Sequence, residues 1–354
     1  MVTNSPPKKK KFINSINYFR GLAIILIVLG HSNDLAHYDM SNNLEALLLA
    51  FIKNSTVYFV FISGFLYHYI FYHKFNYKKF LIKKAQYVLL PYLLISIVPI
   101  VLIVVMRDGG RFLPDSLRER PLLAIIWYLF TGKVITAYWY IPMAMLLFAI
   151  SPLINLIIRS NIVLPVALFS LPISMIVHRP MHNLNAFHSL VYFFPVYLIG
   201  VWSSINNKKI YAYLKDNRKK IVLALIAIVF GIIQIWVFKQ EDSFYKDFLS
   251  VTVPDVNLLQ KITLCFLFMS ILDNYEDTNV TVVNKIAETS FAIYFIHPFI
   301  LNILLAIVSR LDLNYEGNFF TFIFTALGMV IGSMAIAFAI KAVLKKKSRY
   351  LIGW

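Results

Sequence analysis

Long apolar runs recur along almost the whole chain, and they constrain the fold more than any other feature. A helix that crosses a bilayer needs about 20 mainly apolar residues, and such runs follow one another here with only short loops between them. Hydrophobic residues make up 59% of the 354 residues and charged residues only 14%. Soluble domains carry roughly 25% charged residues. We therefore predict an all-α, polytopic integral membrane protein with a single membrane domain.

The hydropathy pattern predicts ten membrane-spanning helices. They cover residues 14–34, 46–71, 88–106, 138–158, 162–177, 188–204, 220–238, 257–272, 286–308 and 319–342. The apolar segment "PLLAIIWYLFTGK", at residues 121–133, is too short for a crossing and is interpreted as an interfacial or re-entrant helix. The membrane domain then occupies residues 14–343, between a basic N-terminus at 1–13 and a basic tail at 344–354.

Basic residues cluster in short segments beside the apolar runs. Four of these segments, at 8–11, 73–84, 206–220 and 345–349, fall on one side of the membrane when ten spans are counted. The positive-inside rule makes that side cytoplasmic, so both termini are expected in the cytoplasm. The same rule and anionic lipid account for the net charge of +17. The expected partner is therefore the lipid bilayer and not nucleic acid.

The stretch "RGLAIILIVLGH" places Arg20 and His31 in the first predicted span. Eleven positions turn a helix by about 1100°, three turns plus roughly 20°, and advance it by roughly 16 Å. The two residues therefore share one helix face. Asp34 follows His31 by one turn and is placed to orient its imidazole. In an alternative interpretation, Arg20 reaches lipid headgroups while His31 caps the helix.

A second polar stripe lies in "TSFAIYFIHPFIL", inside the ninth predicted span. Ser290, Tyr294 and His297 recur at i, i+4 and i+7, so they share a helix face. Pro298 is expected to break the backbone bonding beside the histidine. Ionisable residues inside membrane spans usually mark function, and a polar stripe beside a helix break predicts a cavity. The alternative is a histidine that only packs.

Other candidate residues have a structural and a functional interpretation. Trp139 and Tyr140 in "AYWYIP" fit the aromatic belt at the membrane surface, or stacking on a sugar. The basic stretch with Lys79, Lys83 and Lys84 fits cytoplasmic topology, or phosphate binding. The small residues in "VFISGFL" favour close packing of helices.

No metal site is expected. Cys265 is the only cysteine, so a disulfide framework and a cysteine-based metal site are excluded. His178, His182 and His188 share a predicted outer loop, but no carboxylate or cysteine joins them at the spacing of a zinc site. The chain also lacks a G-x-S-x-G nucleophile elbow and an H-E-x-x-H zinc motif.

Taken in order, these motifs resemble the integral-membrane acyltransferase-3 family. The most specific one is a basic residue, ten intervening residues and a histidine, here "RGLAIILIVLGH". Then follow "FVFISGFLY", a basic stretch ending in "LLPY", "YWYIPMAMLLFAISPLI" and "SFAIYFIHPFI". The family often carries an Arg-x-x-Arg pair in the loop after the second span, whereas this chain has lysines there, which cannot form the bidentate fork.

The resemblance implies a membrane O-acyltransferase of the bacterial cell membrane. An acyl-CoA donor, most simply acetyl-CoA, would approach from the cytoplasm, and the acceptor would be a hydroxyl of a surface polysaccharide or its lipid-linked precursor. His31 is then the expected general base, oriented by Asp34. The alternative function is an exporter or flippase of polysaccharide or lipid-linked sugar, and a third is a non-catalytic sensor.

Further residues receive expected roles within this hypothesis. The donor phosphates would be held by Arg20, Lys79, Lys83 and Lys84. Hydrogen bonds from the cavity wall would come from His297 and Tyr294. Contacts to the acceptor would come from Trp139, Tyr140 and Ser290. No metal cofactor is expected.

Overall fold

The described part of the chain is almost entirely helical. The computed structural model describes residues 12–39, 42–106, 110–240, 245–250, 252–313 and 315–354. The basic N-terminus predicted at 1–13 therefore lies outside the described residues up to residue 11. The helices are α1 (Asn14–Ala36), α2 (Asn43–Ile52), α3 (Thr56–Leu66), α4 (Tyr77–Lys84), α5 (Leu90–Met106), α6 (Pro121–Thr131), α7 (Tyr140–Ala149), α8 (Ser151–Arg159), α9 (Val163–Val177), α10 (Ala186–Ile205), α11 (Asn207–Leu214), α12 (Asn217–Ile232), α13 (Val256–Asp273), α14 (Thr281–Arg310), α15 (Phe319–Leu344) and α16 (Ser348–Ile352).

Within the described ranges, eight helical segments are long and apolar enough to cross a bilayer. They are Asn14–Ala36, Leu44–Lys74, Tyr77–Val105, Ala186–Ile205, Asn217–Val237, Val256–Asp273, Thr281–Arg310 and Phe319–Ile352. The α7–α8 pair is bent by 52°, and the number of spans rises to nine when this pair is counted as one broken span. The predicted all-α membrane fold is confirmed. The fifth predicted span, 162–177, is the 15-residue helix α9, whose length of roughly 22 Å is short of a bilayer core of about 30 Å.

The segment predicted to be interfacial or re-entrant forms the short helix α6. Its 11 residues extend for only about 16 Å, so it cannot cross a bilayer alone. Leu122 and Phe130 are exposed on it, while Tyr128 is buried against the bundle. Proline at the start and Gly132 with a φ of 68° after the end delimit the helix, as is usual for these residues.

The second predicted span is broken in its first half. The chain leaves the helical path between α2 and α3, where Asn54 adopts a φ of 61° in the left-handed region that asparagine tolerates. The carbonyls freed at this break are satisfied from α13: the Lys261 Nζ donates to the carbonyls of Ala50 at 2.8 Å and Phe51 at 2.6 Å. This buried contact fixes the break inside the bundle.

The break expected beside His297 is wrong, because α14 continues through Pro298 without interruption. Proline has no N–H to donate to the carbonyl of Tyr294, four residues earlier. The His297 imidazole lies against this turn of the helix: its Nδ1 bonds to the Ile293 carbonyl at 2.8 Å, and the ring also interacts with the Tyr294 carbonyl. The imidazole therefore lies beside the carbonyl that Pro298 leaves without an amide donor.

Helix α1 lies in the centre of the bundle, where it packs against α3, α13, α14 and α15. Beside it, α3 and α10 cross in backbone contact. A Cβ added at Gly64 would lie 2.1 Å from the Tyr197 carbonyl oxygen, and one at Gly200 would lie 2.1 Å from that of Phe61. The packing role predicted for the small residues of "VFISGFL" is confirmed for Gly64, whereas Ser63 lines a cavity.

Two π-helical segments, Tyr67–Phe71 and Ala85–Leu89, flank α4. Such segments shift the side chains that follow them by one position relative to an α-helix, and they are frequent at functional sites. Phe71, Tyr87 and Val88 from these two segments line the same cavity as Ser63.

Candidate active site

A cavity of about 700 Å³ follows one face of α1. Its volume lies within the range of small-molecule sites, roughly 300–1,000 Å³. Arg20, His31 and Asp34 all line it, as their helical spacing predicts. Arg20 does not extend away from the bundle: its Nε donates to the Ala287 carbonyl at 3.0 Å and its Nη2 to Asn17 Oδ1 at 3.1 Å. The cavity therefore joins the two polar positions of the first span.

The Arg20 end of the cavity, which we call the basic mouth, is lined by Arg20, Lys83, Lys84 and Arg349. Glu288, next to the residue that binds Arg20, lines it too. The charge of Glu288 acts favourably on the guanidinium of Arg20. Four cations around one carboxylate leave this end of the cavity positively charged, which suits a ligand with several negative charges.

Aromatic rings hold two of these cations. The Lys84 Nζ lies over the rings of three phenylalanines, 4.3 Å from the Phe148 centroid and slightly farther from those of Phe71 and Phe80. The Arg349 guanidinium lies 3.9 Å from the Tyr87 centroid. Arg349 is carried here by α16, which folds back from the end of α15 and packs against α5. The sequence indicated only a basic tail at this position.

The other end, which we call the histidine end, is lined by His31, Lys53, Asn54, Arg179 and Tyr245. Lys53 and Asn54 belong to the break between α2 and α3, so the irregular backbone faces the cavity. Lys53 and Arg179 are close enough for their charges to act on His31. This end therefore combines one imidazole of α1 with cations from two loops.

His31 stacks on His297, the histidine of the second polar stripe. The ring centroids of His31 and His297 are 5.6 Å apart and the planes are inclined by 29°. Because a carbonyl can only accept, His297 Nδ1 carries the proton that bonds to Ile293, and Nε2 carries a lone pair. That Nε2 is buried without a hydrogen-bond partner among the described residues. The sequence predicted His297 on the cavity wall. In the structure it lies behind His31 and does not line the cavity.

The model of the acyltransferase domain that defines the acyltransferase-3 family matches residues 13–340, nearly the whole chain. The chain belongs to this family. No curated protein and no solved structure matches it. The resemblance drawn from the motifs is therefore confirmed, and the protein is a membrane acyltransferase. The motif around His31, the most specific one, and the motif around His297 come together beside the cavity, where the two histidine rings stack.

In this acyltransferase the Tyr294 side chain stabilises the backbone turn at Ala137. The Tyr294 hydroxyl donates to the Ala137 carbonyl at 2.8 Å, and Ala137 adopts a φ of 75°, which strains a residue with a side chain. Trp139 and Tyr140, two and three positions after Ala137, line the cavity together with Ser290 and Tyr294. Trp139 is only 8% exposed, so its interpretation as a lipid-facing belt aromatic is wrong.

The buried cation of the histidine end is Arg179, which was not predicted from the sequence. Arg179 follows α9 in a loop that was interpreted only as an outer connection. A short parallel pairing of Arg179–Pro180 with Tyr245–Lys246 brings two distant loops together. No local pattern signals this pairing, because the partner strand lies beyond three intervening helices. The only local indication of a strand was Pro180, because a proline favours extended backbone at the residue before it.

The remaining candidate residues lie as follows. Lys79 is exposed and is not part of the cavity lining. His178 bonds to the Val253 carbonyl at 2.8 Å, and burial lowers the pKa of His178 to about 4. His188 bonds to the Val177 carbonyl at 3.0 Å. Neither loop histidine is arranged for metal binding, and the described residues contain no group of three His, Cys, Asp or Glu that would hold an ion.

Proposed function

We propose that the protein moves an acyl group, acetyl in the simplest case, from a cytoplasmic acyl-CoA to a hydroxyl of a cell-surface polysaccharide or its lipid-linked precursor. The observation that carries this proposal is the single cavity that joins the basic mouth to His31. Its position along α1 suits a long donor with charge at one end and a thioester at the other. The expected setting is a bacterial cell membrane with both termini in the cytoplasm.

The basic mouth would hold the donor phosphates. Coenzyme A carries a diphosphate and a further phosphate, so several cations are needed, and Arg20, Lys83, Lys84 and Arg349 supply them. The pantetheine arm would then run along α1 toward His31, over the roughly 16 Å that the helix rise sets between the two residues. We assign no part of this binding to Lys79, because its side chain is exposed outside the cavity.

At the histidine end, His31 would act as the general base. Its neutral imidazole takes the proton of the acceptor hydroxyl while the hydroxyl oxygen attacks the thioester carbonyl carbon. A C–O bond forms, the C–S bond breaks, and the proton passes from His31 to the departing CoA thiolate. Ester product and free CoA leave, so no oxidant or further reactant is needed. Asp34, one turn beyond His31, would orient the imidazole.

His297 would position His31 and would not touch the substrate. Its ring is stacked on His31, and its Nδ1 is fixed by the Ile293 carbonyl. The lone pair on Nε2 is then available to an N–H of His31 once that ring has taken a proton, after a small rotation of the stacked rings. The acceptor sugar would rest against Trp139, Tyr140 and Ser290, all in the cavity lining.

The first test replaces His31 with glutamine in cells that make the acceptor. A positioned base is typically worth 10²- to 10⁴-fold in rate, so the acyl content of the surface glycan should fall to the level of a deletion strain. Membrane abundance of the variant, measured by immunoblot, should equal that of the wild type. Undiminished acylation would contradict the assignment of His31.

The same strains separate acyl transfer from export. Deletion of an acyltransferase should leave the amount of surface glycan intact and remove its acyl groups, as determined by mass analysis. Loss of the glycan itself, with normal acylation of the remainder, would favour the exporter that the sequence left open.

A further inference from the structure

Arg179 is the most tightly held cation at the histidine end. Its guanidinium lies 4.8 Å from the Trp139 ring centroid and 4.8 Å from that of Tyr245, so an aromatic ring contacts it from two elements. Its Nη2 donates to Asn183 Oδ1 at 2.9 Å and its Nη1 to Asn54 Oδ1 at 3.4 Å. The side chain is only 5% exposed, yet it lines the cavity.

The hydrogen bonds of Arg179 go to amide oxygens, and within the described residues none goes to a carboxylate. A guanidinium has five N–H donors, and the buried Nε of Arg179 has no partner among these residues. Asp255 acts on Arg179 through space, but its carboxylate accepts from the Tyr192 hydroxyl at 2.7 Å and from the Leu258 amide at 3.3 Å. The guanidinium thus keeps both charge and donors for a ligand.

A network of neutral side chains fixes the direction of Arg179. Asn54, at the break between α2 and α3, donates to the Tyr192 hydroxyl at 2.8 Å and to Asn257 Oδ1 at 3.2 Å, while its own oxygen accepts from Arg179. A cation held from two sides is preorganised, so little rotamer entropy is lost when it binds a planar anion.

We propose that Arg179 binds an anionic group, a carboxylate or phosphate, of the acceptor at the histidine end of the cavity. The donor phosphates are accounted for at the basic mouth, so a separate charge beside His31 belongs to the second substrate. Arginine is the residue that matches carboxylate and phosphate geometry. The name "acceptor" rests on the proposed acyl transfer, whereas the anion site rests on the contacts of Arg179 alone.

The test measures binding of soluble sugars to the purified full-length protein in lipid nanodiscs, without donor, by saturation-transfer NMR. The probes are D-glucose, D-glucuronate and D-glucose 1-phosphate, which share one ring and differ in charge. The wild type should bind at least one of the two anions about tenfold or more tightly than glucose. A preference for glucuronate alone identifies a carboxylate, and a preference for the phosphate alone identifies a phosphorylated or lipid-linked sugar.

Arg179→Gln should remove this preference, and Arg179→Lys should keep part of it, since lysine keeps the charge and loses the planar fork. Lys133→Gln is the matched control: Lys133 donates to the His182 carbonyl beside the same loop, at 3.2 Å, but does not line the cavity. The control should leave the preference unchanged.

Equal affinity of the wild type for all three sugars would overturn the proposal, whatever the variants do. An unchanged preference in Arg179→Gln would overturn it as well. Both measurements are independent of acyl transfer. A preference dependent on Arg179 in a protein that transfers no acyl group would contradict the proposed function and leave the anion site standing.

Discussion

The basic mouth and the histidine end of the cavity hold their cations in different ways. At the mouth, Arg20 and Lys84 are held by the bundle, whereas Lys83 and Arg349 are exposed and Arg349 stacks on the Tyr87 ring. At the histidine end, Arg179 is buried and held by two rings and two asparagines. Four charges, two of them on exposed side chains, suit a flexible polyphosphate, whereas one buried and oriented charge suits a ligand whose position must be set relative to His31. The difference fits the proposed division between donor binding at the basic mouth and chemistry at the histidine end.

Substitution of His297 is expected to have the largest effect that distinguishes the two ends, because it should lower the transfer rate without changing donor affinity. His297→Asn keeps an amide N–H in place of Nδ1 but has no atom at Nε2, so the transfer rate should fall about 10²-fold at unchanged donor affinity. His297→Gln, whose amide oxygen can take the position of Nε2, should recover part of the rate. Purified protein, radiolabelled acetyl-CoA and a rate assay in nanodiscs check this.

Equal losses in His297→Asn and His297→Gln, accompanied by lower melting temperatures, would show that His297 only packs. Recovery by glutamine alone is the result that a packing role does not explain.

A smaller effect, again confined to the histidine end, is expected from Lys261→Met. This substitution removes the Lys261 donor from the carbonyls of Ala50 and Phe51. The Ala50 carbonyl still accepts from Asn257 Nδ2 at 3.1 Å, so the main loss falls on the Phe51 carbonyl, and leaving a buried carbonyl unpaired costs about 1–3 kcal/mol. The break that carries Lys53 and Asn54 should loosen, so the melting temperature and the preference for anionic sugars should both fall. Lys215→Met, at an exposed position, is the control. A normal sugar preference in Lys261→Met would show that the break does not orient Arg179.

The smallest effect belongs to Arg349 at the basic mouth. Because its side chain is exposed, screening by solvent weakens its contribution, and Arg349→Ala should raise the KM for acetyl-CoA by about three- to tenfold with kcat unchanged. Lys346→Ala removes a charge from the same tail outside the cavity lining and should have no effect. A fall in kcat with unchanged KM in Arg349→Ala would remove this residue from the mouth.

Local sequence was sufficient for the all-α membrane fold and for the shared helix face of Arg20 and His31, but not for the count of ten spans. Apolar run lengths predicted the membrane fold, and the helical period alone placed both residues on the face that lines the cavity. The break at Asn54 could not be predicted in this way, since it depends on Lys261 of a distant helix. Conversely, Pro298 predicted a break, but α14 continues through it, as α5, α9 and α10 continue through Pro99, Pro172 and Pro195.

The histidine end was predictable only in part for the same reason. His31 and His297 were found because a histidine inside an apolar span is conspicuous. Arg179 lies in a loop with ordinary composition, and only its pairing with Tyr245 brings it to the cavity. The depth of His297 behind His31 likewise follows from the packing of α1 against α14, which no period within one helix contains.

The most direct test of the division between binding and chemistry measures both in one protein, His31→Gln. Equilibrium binding of acetyl-CoA and the single-turnover rate of acyl transfer would be determined on the same nanodisc preparation. We predict a donor dissociation constant within about twofold of the wild type and a transfer rate lower by at least about 10²-fold. A weakened donor affinity, with an unchanged transfer rate for the donor that remains bound, would contradict the account.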